Sequence, residues 1–426
     1  MRATAMGILT EAMLASVLAS FAMAGEGLEP PEWLSMRGHY RLRNYRVFER
    51  SGAEHNIVEW RNDIRFGVRT PEPGDRGEQL VVSANAHTAR GENRVWGFWS
   101  EEERLEWWEA YIRFRRDEWD FRIGKQSVRW SHALDRGPLD TFTPEDRREY
   151  ARFAMADRIL PVWALHAAYT VAPLSYEALA QPSFEPSPLA PTGSNWRPRR
   201  LALLEQAGWS VREDKPSAAI WAHRMRYSAD SFEAAIVHAY HCNQAPGLRL
   251  NSARSEVVLD YRRQHTFGAT LAWLNNGSKI FAEAAYTTRQ PWETRNPAAT
   301  DNLTSRDAMT LAIGFDHALD DATQVGLQWT GRSIVNYPSH IEDKAFAQAV
   351  IGEWRRRLAE DKVEIGLRGR YHFDPAGYRL SPEIAYWLHE RICVRALLDL
   401  YGGSRASEPG QFRDNDQGGM ELTVLF

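Results

Sequence analysis

Three groupings of side chains in this sequence have the composition that chemistry needs. His238, His241 and Cys242 are close enough along the chain to suggest a metal ligand set. On a strand, however, 238 and 241 face opposite ways, as do 241 and 242, so the three cannot converge locally. Acidic residues are numerous, but if the chain is built of alternating strands every polar face supplies them, and spacing singles out no acid–base pair of the glycosidase type. The third grouping is arginine: of 52 basic residues, 47 are Arg and five are Lys. A planar guanidinium suits carboxylates, phosphates and aromatic faces better than an ammonium does. Gly124-Lys125 lacks the upstream glycine of a phosphate loop, and neither G-x-S-x-G nor H-E-x-x-H occurs. The expectation is a chain that is not an enzyme, has no cofactor or metal, and handles solutes with arginine-lined surfaces.

Those arginines recur with a period of two, so strands must position them. Trp60, Ile64, Phe66 and Val68 alternate with Arg61, Asp63, Arg65 and Arg69. Trp108, Ala110, Ile112 and Phe114 alternate with Glu109, Tyr111, Arg113 and Arg115, and Trp119, Phe121 and Ile123 with Asp120, Arg122 and Gly124. Late in the chain Val363, Ile365 and Leu367 stand opposite Glu364, Arg368 and Arg370. This pattern places Arg61, Arg65, Arg69, Arg113, Arg115, Arg122, Arg262, Arg332, Arg368, Arg370, Arg379 and Arg395 on one polar face. With them lie Asp63, Glu109, Asp120, Glu233, Glu256, Asp260, Glu283, Glu364 and Glu383. Most of these charges are expected to neutralise one another and brace a wall. The arginine surplus favours anions, because a low-dielectric wall focuses its field into an enclosed space.

The apolar face meets either a second sheet, as in a soluble sandwich, or lipid. A secreted β-rich carbohydrate-binding protein or enzyme, its 17 Trp serving as sugar platforms, is the alternative reading, and a plugged structural barrel is a third. Three features favour a membrane barrel. The polar face carries full charges, as a wet lumen can. Aromatics cluster at strand ends, at Trp60, Trp107, Trp108, Trp119, Tyr401 and Phe426. Short connections (Arg116–Glu118, Ala172–Pro173) alternate with long ones (Arg129–Pro161, Pro182–Pro198). The expected fold is all-β: a transmembrane antiparallel β-barrel of about 18 strands, range about 16 to 20, with a long inward-folded loop. Leu201–Arg212 and Ala345–Leu358 are its weakest strands, the latter equally readable as a helix.

Arg2, the apolar Ala12–Phe21 and Ala22-Met23-Ala24 form a cleavable export signal over residues 1–24, leaving 25–426 as a single barrel. A net charge of −4 argues against a nucleic-acid partner, and two cysteines exclude a disulfide scaffold. The 33 residues of Arg129–Pro161 exceed an ordinary connection and are expected to fold back into the lumen. Thr143 as N-cap and Pro144 at the first helical position predict a short helix from Pro144 to about Asp157. The expected pore-lining and constriction residues are Arg61, Arg65, Arg113, Arg115, Arg122, Gln126, Trp130, Arg136, Arg147, Arg148, Arg368 and Arg370.

The run Asp120-Phe121-Arg122-Ile123-Gly124-Lys125-Gln126, followed by Trp130 and the Pro144-Glu145-Asp146 element, resembles porins of the alginate-export family, and a related porin family of unassigned substrate more closely. The last strand, Met420–Phe426 with its terminal Phe, resembles the closing strand of Gram-negative outer-membrane barrels. Where this chain has Trp130-Ser131-His132, those relatives carry a Gly and an acidic residue. The resemblance implies a Gram-negative cell outer membrane location and a channel for diffusion or export of small or oligomeric solutes. It implies outer-membrane lipid and lipopolysaccharide, the barrel assembly machinery and a small-molecule or oligosaccharide solute as partners.

Overall fold

Segments that alternate apolar with polar residues, rich in aromatic and β-branched types, are strand formers that need a partner for each edge. In the computed structural model they satisfy that need by closing on themselves. It describes residues 35–48, 57–72, 74, 76–93, 97–148, 150, 158–295 and 302–425, without the side chains of 35–38, 44–48, 57–63, 87–93 and 97–104. The signal read at 1–24 and the terminal Phe426 lie outside the described residues, as do the side chains of Trp60 and Arg61.

The first barrel strands are β1 (Ser35–Phe48), β2 (Ile57–Arg69), β3 (Arg76–Asn93), β4 (Gly97–Arg116), β5 (Trp119–Gln126), β6 (Val162–Val171) and β7 (Leu174–Gln181). After a helix, α1 (Arg199–Gln206), and a short strand, β8 (Ser210–Asp214), come β9 (Ile220–Ala229) and β10 (Phe232–Cys242). Two more short strands, β11 (Gly247–Asn251) and β12 (Glu256–Asp260), precede β13 (Arg263–Asn275), β14 (Ser278–Glu293), β15 (Leu303–Ala318) and β16 (Thr323–Ile334). The chain ends with β17 (Phe346–Leu358), β18 (Val363–Phe373), β19 (Ala376–His389), β20 (Ile392–Gly403) and β21 (Asp416–Leu425). Eighteen of these form one antiparallel barrel, closed where β21 pairs with β1. β8, β11 and β12 form a separate three-stranded sheet.

The turns on one rim of the barrel are tight, such as Asp117–Glu118, Ala172–Pro173, Asp230–Ser231 and Asn276–Gly277. The opposite rim carries the long connections 127–161, 182–219, 243–262 and 404–415, with the two-residue Asp374–Pro375 link as an exception. Apolar side chains face outward at alternate positions, among them Ile123, Leu165, Ile236, Leu271, Ile313 and Ile384. Trp119, Tyr169, Tyr227, Phe232 and Trp273 are exposed beside the tight turns. A soluble fold would not expose so continuous a belt.

Four expectations are corrected. Leu201–Arg212 is no barrel strand: α1 runs to Gln206, and Gly208 at φ 84° ends it. Ala345–Leu358, by contrast, is strand β17. Trp108 faces inward. A β-bulge shifts the β3–β4 register between Val82 and Ala84, which sends Trp107 out at 56% exposure and leaves Trp108 7% exposed. Tyr401 is fully buried and packs on Trp196, Tyr150 and Phe412 under the long loops instead of joining a girdle. Finally, Glu256, Asp260 and Arg262 lie in or beside the small sheet, where Asp260 pairs with Arg262 at 2.7 Å, so they are not barrel wall.

Candidate functional site in the lumen

The 127–161 connection leaves β5, crosses the lumen and returns to β6, touching far strands on the way. Ser131 Oγ donates to Glu283 on β14 (2.7 Å), and His132 N donates to the same carboxylate (2.6 Å). His132 Nε2 meets Glu233 on β10 at 3.0 Å, and Leu134 N donates to Gln328 on β16 at 2.7 Å. Arg379 on β19 donates to the Tyr150 carbonyl at 2.7 Å. Leu139 and Leu134 seat against Gly268 of β13 and Gly326 of β16, where any Cβ would collide with them. These glycines are sockets that let loop side chains press on the wall.

Within the loop, Asp140 acts as the organiser. Its carboxylate accepts the backbone N–H groups of Trp130, Ser131 and Gly137, each at 3.2 Å, and pairs with Arg129 at 3.3 Å. Asp135, 3% exposed, is held between Arg158 of the loop and Arg370 of β18. The chain of charge continues both ways. Arg158 Nε reaches Glu145 at 3.2 Å, and Arg370 and His372 each lie 3.7 Å from Glu408 of the 404–415 connection. Burial alone would raise the Glu408 carboxyl, but Arg370, His372, Arg147 and Arg158 outweigh it and hold it at about 2. Glu145 is likewise lowered: burial pushes it up, and Arg158, Arg147 and Arg136 pull it further down.

The helix expected from Pro144 does not begin there. Glu145 bridges Ile159 and Arg147 bridges Leu189, so this stretch is extended. Its backbone is satisfied by other segments: Leu160 N donates to Pro144 O (2.9 Å), and Arg147 N to Pro188 O (3.0 Å). Tertiary hydrogen bonds here displace the capping potential of Thr143, whose hydroxyl donates to Val128 O at 3.0 Å instead. Residue 149 and residues 151–157 lie outside the described residues.

Below the loop, on its tight-turn side, strands β4 to β7, β9 and the loop enclose a cavity of about 540 Å³. Five arginines line it, Arg115, Arg122, Arg129, Arg224 and Arg226, with Asp117, Glu118, Asp120, Glu177, His166 and Trp130. Glu177 is claimed by Arg224 (2.5 Å) and by His166 (3.3 Å); Asp120 is claimed by Arg113 (2.5 Å), and Arg122 stands 3.7 Å from it. Asp117 also pairs with Arg76 at 2.7 Å. Among the described residues Arg115 pairs with no carboxylate.

The expected residues therefore separate into groups. Arg115, Arg122 and Trp130 line the cavity, with Arg224 lying 5.3 Å from the Trp130 ring. Arg113 and Arg368 brace the wall through Asp120 and Glu353. Arg65 lies on Trp108 at 3.7 Å. Arg147 and Arg148 bridge to Glu145 and Asp146 inside the loop, and Arg136 donates to the carbonyls of Asp140 and Thr143. Gln126 is buried and binds the Ala164 carbonyl at 2.9 Å, which knits β5 to β6. His166, Glu177, Arg224, His372 and Glu408 were not anticipated. The alternation of Ala222, Arg224 and Arg226 carried a signal for β9, whereas Glu408 sits in a loop whose sequence has no period.

A family model described as "Protein of unknown function (DUF1302)" matches residues 97–386. The chain belongs to that family. By sequence it matches no curated protein. As a fold, this DUF1302 chain is similar to Acinetobacter baumannii OccAB1, with a TM-score of 0.56 at 10% identity over 92% of this chain and 96% of that one. It is also similar to Pseudomonas aeruginosa OccK5 (OpdH), with a TM-score of 0.51 at 11% identity over 92% and 98% of the two chains. The likeness spans this chain's closed antiparallel barrel.

Proposed function

We propose that this protein is an outer-membrane channel, a porin through which small or oligomeric solutes, anionic ones favoured, diffuse or are exported. The observation that carries the reading is a closed barrel with an apolar outer belt, a charged interior and a loop pinned across its lumen. Lipid covers the belt, and the tight turns face the periplasm. The leader read at residues 1–24 would deliver the chain, and the assembly machinery would read the closing strand at Met420–Phe426. Solutes pass beside the inner loop, over the wall that presents Arg115, Arg122 and Trp130. Arg115, which pairs with no carboxylate among the described residues, supports anion preference. The soluble alternative is disfavoured by the exposed belt.

Planar-bilayer recording of the purified barrel tests the reading. The expected result is discrete ohmic conductance steps, with a reversal potential displaced toward that of the anion in a salt gradient. Absence of conductance from heat-modifiable, folded protein would reject it.

A further inference from the structure

Three imidazoles interrupt the apolar belt where β9, β10 and β13 lie side by side. His223 shares a face of β9 with the exposed Met225, His238 a face of β10 with Ile236, and His265 a face of β13 with Phe267. By the period of a strand all three look outward. They form one row. His223 is the cross-strand partner of His238, and His238 Nε2 lies 3.2 Å from His265 Nδ1, with the rings within 4° of parallel.

Aromatic rings frame the row. Trp221 lies with ring centroids 5.1 Å from His223 and 5.0 Å from His238, and Tyr240 is 4.9 Å from His265. The Tyr176 hydroxyl meets His223 Nδ1 at 2.5 Å. Arg263 is exposed on the same face of β13 as His265. Among the described residues no carboxylate pairs with these imidazoles or with Arg263. Asp307, an outward carboxylate further round on β15, is engaged by the Tyr286 hydroxyl and the Arg289 amide. Nor do the imidazoles converge as metal ligands: among the described residues no such group could hold an ion.

The row stands toward the long-loop rim, near the starts of β9 and β13. If those loops are external, this is the level where outer-leaflet headgroups meet acyl chains, and where Trp and Tyr belong. Stacked imidazoles cannot both take a proton there without an anion, since like charges at this spacing oppose one another. A phosphate monoester supplies both the charge and the acceptors.

We propose that His223, His238, His265 and Arg263 form a docking site on the outer wall for a phosphate of an outer-leaflet glycolipid, whose acyl chains lie along Met225, Ile236 and Phe267. The site rests on the reading of the barrel as an outer-membrane protein. Protonated imidazoles and the Arg263 guanidinium supply the charge-assisted donors that such a phosphate takes.

The test titrates the full chain in detergent with diphosphoryl lipid A and, separately, with the same lipid stripped of phosphate. Native mass spectrometry counts bound lipid at about pH 6 and about pH 8. The diphosphoryl form is expected to bind about tenfold more tightly at the lower pH, with the preference shrinking at the higher. A His238→Gln/His265→Gln variant should lose the preference while keeping heat-modifiable migration. Should it fail to fold, Arg263→Gln provides the same readout with a smaller loss. Equal retention of the two lipids, a preference indifferent to pH, or one that survives the substitutions would overturn the site. Displacement by equimolar inorganic phosphate would overturn the lipid as its occupant. Conductance is measured on the same preparations, so a conducting barrel without lipid preference removes this inference alone.

Discussion

The inner loop leans on two walls that treat it differently. On the far side, β13 to β19, each loop contact is specific and matched: Glu283 takes Ser131 and His132, Gln328 takes Leu134, and Arg370 takes Asp135. Glycines there give way to Leu134 and Leu139. On the near side, β4 to β7 and β9, a cavity of about 540 Å³ remains, where Arg122, Arg129, Arg224 and Arg226 each stand near a carboxylate and, among the described residues, Arg115 pairs with none. The same polar alternation generates both walls. They differ in what the loop supplies to neutralise them: one wall is a clamp, and the other is left with charge to offer a solute.

Removing the loop should have the largest effect. Deleting Leu134–Met155 is expected to raise single-channel conductance several-fold while the barrel keeps its heat-modifiable migration. Unchanged conductance would mean that the loop does not narrow the path.

Next is the clamp itself. Asp135→Ala leaves Arg158 and Arg370 without their shared carboxylate, and loss of one member of a buried pair costs about 3–5 kcal/mol. The expected outcome is a noisy, intermittently larger conductance and faster proteolysis of the loop, with cleavage rate as the check. The near-wall Glu177→Ala should leave the loop's proteolysis unchanged, which keeps the comparison sharp.

Acid tests the clamp without mutation. Glu145 and Glu408 both titrate below their ordinary 4.5 when the loop is docked. Their contribution is therefore fully present above 4.5 and is lost as pH falls from there toward about 2. Loop proteolysis should be flat from neutral pH down to that window and accelerate within it. Acceleration on going to alkaline pH instead would contradict the assignment.

The smallest effect is on the near wall. Arg115→Ala or Arg122→Ala is expected to move the reversal potential by only a few millivolts toward the cation, because neighbouring arginines share the field. The shift should fade at high salt, where the screening length is about 3 Å. Larger shifts from Arg368→Ala would reverse the roles of the two walls.

Much of this architecture was legible before any coordinates. Period-two alternation from Trp119 to Gly124 and from Val363 to Arg370 was enough to place Arg122 and Arg368 indoors, because a strand has only two faces. Short and long connections told the rims apart. The alternation failed where one extra residue broke it: the bulge beside Val82 turned Trp108 inward, and no local propensity marks it. It failed again at Pro144, where Thr143, Pro144 and Glu145 spell a helix start, yet Glu145 bridges Ile159 and Arg147 bridges Leu189.

The sequence by itself determined the barrel, its approximate strand number and the loop that enters it, since all of these follow from the strand period and from connection length. Only the tertiary structure decided which arginines meet partners. Asp135 is separated from Arg370 by 235 residues and Ser131 from Glu283 by 152, and both contacts exist only because closure of the barrel sets the far wall opposite the loop. A charge is free or spent according to what stands across the lumen, and that is a property of the closed ring, which no stretch of chain contains.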